Sequence, residues 1–143
     1  MSTPPPYDVR YLEGIRRHNA REFYEAHEYL EDLWHEWGPP QKTFLQALIQ
    51  FTVACLHLEM KNPRGATTMS GRVIHQLASL PDELWGLEIR PIEKSAREFF
   101  APLHDPELLS RRGPPDPAQA PGWGWPADAP LDYDRPPMPE KPE

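Results

Sequence analysis

The sequence predicts an all-α domain, a bundle of about five helices with a Pro-rich extended C-terminal tail. Three observations carry that prediction. Between about residues 8 and 102, apolar side chains recur at three- and four-residue spacing, the period of a helix with one face in a core. No stretch alternates apolar and polar residues with period two, so no sheet is expected. Of twenty prolines, eleven follow Asp105, a composition that does not build a core of its own. The chain therefore divides into a Pro-rich lead-in over 1–7, a helical bundle over 8–102, and a Pro/Trp-rich tail over 103–143, extended or disordered.

Asp8 can cap a first helix running to about His18, with Val9, Leu12 and Ile15 one turn apart. Asn19, followed three residues later by Glu22, reads as a variant capping box for a second helix from about Ala20 to Trp37. That helix stops at Gly38-Pro39-Pro40, where glycine is suited to a left-handed C-cap. A third helix, about Pro40 to Lys61, is apolar round most of its circumference and should be central. Asn62 as N-cap and Pro63 at the first helical position open a fourth helix, which ends near Leu80. A short segment, Asp82 to Leu87, leads to a fifth helix over about Arg90–Phe100. In the tail, Trp123 and Trp125 are unusual for a free linker, and the alternative to disorder is docking on the bundle or on a partner.

Bulk composition excludes some functions. With 15 basic and 22 acidic residues the net charge is −7, which argues against nucleic-acid binding and against anionic membranes. No apolar run reaches the ~20 residues that span a bilayer, and the N-terminus lacks a signal-peptide pattern. The single cysteine, Cys55, lies in an apolar segment and suits a reduced, cytoplasmic protein. Gly65 and Gly71 are small enough for a second copy's helix to approach in a homo-oligomer, and intrachain packing explains them equally well.

The chemistry concentrates in helix two. His27 and Glu31 stand one turn apart at the border of its apolar face, while Glu28, Asp32 and Glu36 turn toward water. On helix three, Gln46, Gln50 and His57, joined by Val53, fall within about 60° of one another on the wheel. Buried amides and imidazoles require partners, since an unpaired one costs roughly 1–3 kcal/mol. Tyr24, His27 and Glu31 are the evident partners, so helices two and three are expected to face each other across an internal polar seam. His18 and His75 read as surface or capping residues.

The run Phe23-Tyr24-Glu25-Ala26-His27-Glu28-Tyr29-Leu30-Glu31-Asp32-Leu33-Trp34, the run Phe44-Leu45-Gln46-Ala47-Leu48-Ile49-Gln50 with the later His57, and Asn62-Pro63-Arg64-Gly65-Ala66 together resemble a family of short helical bacterial and archaeal proteins. That family is catalogued as domain of unknown function 309 and sometimes labelled predicted metal-dependent hydrolases. The resemblance covers roughly residues 8 to 80. It implies a helical bundle with His27, Glu28, Glu31, Gln46, Gln50 and His57 as its marked polar positions, and no demonstrated activity.

Two readings of these residues remain open. In one, the seam is a structural hydrogen-bond network that sets helix register, and function lies in grooves or the tail as partner-binding surfaces. In the other, His27, Glu31 and His57 ligate a divalent metal such as zinc, iron or manganese, and Glu28 acts as general base of a hydrolase.

Overall fold

Asp8 accepts a hydrogen bond from the backbone N–H of Arg10 and starts the first helix, as its position predicts. In the computed structural model, which describes residues 8–124, six α-helices follow in order. They are α1 (Val9–Asn19), α2 (Phe23–Trp34), α3 (Gln41–Glu59), α4 (Pro63–Ser79), α5 (Ile89–Phe100) and α6 (Pro106–Arg112). Each of α1 to α5 packs chiefly against its neighbours in sequence, apart from a hairpin set between α4 and α5, so α3 lies at the centre of the row. Its inner face buries Phe44, Leu48, Phe51 and Cys55. The all-α class holds.

The first and third helices end in the same way. Arg21 adopts φ 63° and Lys61 φ 59°, the left-handed position after a helix end. In α1 the N–H groups of Glu22 and Arg21 return to the carbonyls of Arg17 and His18; in α3 those of Asn62 and Lys61 return to His57 and Leu58. Two helical hairpins therefore turn on the same six-to-one and five-to-two closure, with a basic residue where glycine is commoner.

Three local expectations are corrected. Asn19 and Glu22 form no capping box: Glu22 precedes α2 without a side-chain cap, and Asn19 binds the distant backbone of Trp123 and Gly124. Gly38 takes no left-handed cap; α2 closes near His35, and the chain passes through a cis Pro39-Pro40 bond into α3. The region expected to lack strands contains β1 (Glu83–Leu84) paired antiparallel with β2 (Leu87–Glu88). Strands of two residues are too short to display alternation, and the turn is set by Trp85 at φ 52° and Gly86 at φ 84°, both left-handed as a tight hairpin requires. Trp85 then packs edge-on against Tyr11, Trp37 and Phe44, and the Tyr11 hydroxyl donates to its carbonyl at 2.8 Å.

Beyond Phe100 the described chain is ordered by capping and docking. Asp105 caps α6, Asp116 caps a 3-10 turn at Pro117–Gln119, and the segment 120–124 lies on the end of α1. Trp123 is buried against the bundle, and Trp125 lies outside the described residues.

Candidate functional site

The polar stripe of α3 faces outward. Gln46, Ile49, Gln50, Val53, Leu56 and His57 are all half-buried, and Met60, one turn beyond, is 63% exposed. The opposite side of the helix is filled by Phe44, Leu48, Phe51 and Cys55, so the stripe has nowhere to go but the surface. On α2, Tyr24 is 55% exposed, His27 is half-buried and Glu31 is exposed. The residues marked in the sequence thus border a common outer face of α2 and α3, where an internal seam was expected.

On that face the hydrogen bonds are local. His27 Nδ1 donates to the carbonyl of Tyr24 at 3.0 Å, which leaves Nε2 directed at Glu31, 3.4 Å away. That contact is an ion pair only when the imidazole is protonated, and at this exposure it contributes little. His57 belongs to another constellation. The Asn62 side-chain amide donates to His57 Nδ1 at 3.1 Å, while the Asn62 carbonyl oxygen accepts from Gly65 N and caps α4. A Cβ on Gly65 would stand 2.7 Å from His57 Nδ1 and 2.8 Å from Asn62 Nδ2, so glycine is needed for the imidazole to lie against the corner. His57, Asn62 and Gly65 together form the α3–α4 turn. Gln46 and Gln50 make no side-chain hydrogen bond among the described residues, and Gln50 Oε1 is buried without a partner.

The metal reading requires three ligand atoms converging on one point. Among the described residues no three His, Cys, Asp or Glu side chains are placed to hold a metal ion. His27 and Glu31 meet each other, His57 is turned to Asn62, and Glu28 lines a shallow acidic depression with Glu25, Asp32, Arg17 and Tyr29. As arranged, these residues do not fit a metal ion.

Sequence reasoning missed a second polar constellation, at the end of α1. His18, expected at the surface, is 1% exposed. Its Nε2–H donates to the carbonyl of Pro121 at 3.1 Å, and its bare Nδ1 accepts from the Thr52 hydroxyl at 3.0 Å. The imidazole stacks on the Trp123 indole with centroids 3.6 Å apart and planes 6° from parallel, and both rings meet Phe51 edge-on. Burial holds His18 neutral, lowering its pKa to about 3, with the nearby Arg21 charge acting in the same direction. Asn19 accepts from Trp123 N at 2.8 Å and donates to the Gly124 carbonyl at 3.0 Å; Arg21 donates to the Ala120 carbonyl at 2.7 Å. Nothing local marks these residues, because every partner on the strap lies about a hundred positions away. The pair of tryptophans in the tail was the available signal.

With this geometry in place, comparison with known proteins adds one match. Residues 11–69 match the family model described as Domain of unknown function (DUF309). The matched stretch is similar to that family from α1 into the first half of α4, and stops short of the hairpin, α5 and the strap. No curated protein matches the chain.

Proposed function

We propose that this chain is a non-catalytic helical module that docks a protein partner on the outer face of α2 and α3. The observation that carries the reading is the half-buried apolar stripe of α3, which ends in the exposed Met60. Gln46, Ile49, Val53, Leu56 and Met60 repeat at three- and four-residue spacing, the first four half-buried and Met60 63% exposed. Such a stripe is what an amphipathic partner helix reads through its own i, i+3, i+4 and i+7 anchors. Tyr24 and His27 give the rim aromatic and polar contacts of the kind that orient a bound helix. Of the family-marked residues, His27, Glu31, Gln46 and Gln50 border this face while Glu28 and His57 turn elsewhere, an arrangement without a converging ligand set that supports recognition over hydrolysis. A cytoplasmic setting fits Cys55, an inert buried thiol whose pKa burial pushes up.

The test is capture with the immobilised full chain, identification of the bound protein, and rebinding with that protein purified. Val53→Glu should abolish binding while leaving the thermal midpoint unchanged, and Ala78→Glu, on the exposed side of α4, should bind as wild type does. Equal binding by all three overturns the reading. Near-stoichiometric zinc, iron or manganese in protein purified without added metal, lost in both His27→Ala and His57→Ala, would reinstate the hydrolase. Sedimentation of the free chain identifies the case in which the partner is a second copy.

A further inference from the structure

The strap over residues 120–124 is held to the bundle by the side chains of one corner. Arg21, His18 and Asn19 donate to the carbonyls of Ala120, Pro121 and Gly124, and Asn19 accepts from Trp123 N. Among the described residues, the main chain of the strap makes no bond to a backbone group of the bundle. The corner is closed without it, by the N–H groups of Arg21 and Glu22 returning to His18 and Arg17. The strap can therefore leave without opening a helix or a turn. Its seat is close-fitting, since a Cβ on Gly122 would stand 2.7 Å from Asn19 Oδ1. The seat also carries a cost. The Trp123 indole N–H is sealed without a partner among the described residues, and release into water satisfies it.

His18 is the member of this seat that titrates near neutrality. Its ring lies under the Trp123 indole with both nitrogens engaged. The elements packed against it present Phe23 from α2, Phe51 and Thr52 from α3, and Pro121 and Trp123 from the strap, all uncharged. The charge that acts on the ring is Arg21, of the same sign as an imidazolium. Among the described residues no carboxylate pairs with it. Glu13 is engaged by Arg16 and Arg17, and Glu22 by Arg17. Further along α3 stand Cys55, whose thiol burial keeps protonated, and Glu59, exposed at the helix end. A proton taken up here turns Nδ1 from acceptor to donor and buries a cation without a counter-charge. The indole face attracts a cation, but weakly beside the cost of that burial. Phe51 and Thr52 belong to the central helix, so the cover that can lift to admit water is the strap.

We propose that residues 120–124 form an acid-released latch: protonation of His18 expels the strap as one piece from the end of α1 while the helices stay folded. Burial lowers the pKa of the docked ring to about 3, against 6.5 for a solvated one. Docking is therefore undiminished above pH 6.5 and weakens about tenfold for each pH unit below it, toward 3. Release uncovers the ring of Phe51 and frees the side chains of Asn19 and Arg21.

The experiment is hydrogen exchange of the full chain between pH 6.5 and 4.5, each rate divided by its intrinsic value at that pH. The Trp123 indole N–H reports the strap, and the Phe51 amide reports α3. Protection at Trp123 should lie at least tenfold below that at Phe51 throughout, and should fall about tenfold per pH unit. In His18→Gln, which cannot take up the proton, protection at Trp123 should stay level. Equal protection at the two sites overturns the proposal, because the strap then opens only with the whole bundle. So does protection at Trp123 that is level in wild type, or that falls equally in His18→Gln. Should that variant not fold, wild type alone decides at pH 5, from the imidazole 13C shifts of His18 read beside the Trp123 resonance. A neutral ring beneath docked Trp123 upholds the latch, and a protonated ring there overturns it.

Discussion

His18 and His27 stand on the same helical hairpin, nine residues apart, and the structure gives them opposite environments. His27 was marked by its sequence neighbourhood, one turn before Glu31 on an amphipathic helix, yet it sits half-buried on an outer face and bonds within its own turn. His18 carried no mark beyond a helix end, yet it is sealed between Thr52, Phe51 and Trp123 and holds a strap from a hundred residues away. The difference teaches that a titratable residue's burial is decided by what packs over it. The strap converts the end of α1 into interior; nothing in the described chain does the same for the outer face of α2 and α3.

That contrast can be broken most forcefully from the strap. Trp123→Ala removes an indole that is 4% exposed and stacked on His18, and should cost about 3–5 kcal/mol in urea unfolding. A loss below ~1 kcal/mol would mean that the strap is an ornament on a self-sufficient bundle. Acid sharpens the comparison next. The His18 pKa is lowered from 6.5 to about 3 in the folded chain. Between those values the unfolded chain binds a proton that the folded chain does not. Its contribution is therefore complete above pH 6.5 and declines as the pH falls toward 3. By pH 4.5 wild type should lose on the order of 2–3 kcal/mol more than His18→Phe relative to each protein's value at pH 7.5, measured by denaturant titration at both pH values. Parallel losses would place the imidazole in water.

The outer face should respond far less. His27→Ala removes a partly exposed contact with Glu31 and a hydrogen bond within one turn, and should change stability by no more than about 1 kcal/mol in the same assay. This reverses the sequence expectation of a buried seam, in which losing an imidazole would unbalance a network. The smallest effect comes from the corners. Lys61→Gly relieves a left-handed backbone and should raise stability by ~0.5–1 kcal/mol. The matching Arg21→Gly should gain less or lose, because Arg21 also holds the Ala120 carbonyl.

Much of the chain was legible from spacing alone. Asp8, Asn62-Pro63 and the three- and four-residue apolar periods place α1, α3, α4 and α5 close to their observed bounds, because caps and periodicity act within a single turn. Asn19 shows where local reasoning fails. Its type and its spacing to Glu22 suit a cap, but two backbone groups of the strap compete for the same amide and win. His57 and Gly65 show a milder case: both were singled out, and the corner they build with Asn62 explains them without a ligand.

The sequence by itself determined the helical class, the order of the main helices, the central place of α3 and the likeness of residues 11–69 to one family. Only the tertiary structure decided that the stripe of Gln46, Gln50 and His57 faces outward, that Trp85 and Gly86 turn a hairpin, and that Trp123 closes over His18. The physical reason is one of range. Helix formation and capping are settled by neighbours within about four residues, whereas a helix can turn either of two half-apolar faces inward. Which face becomes interior depends on the segment that arrives to cover it, and here that segment lies at the far end of the chain.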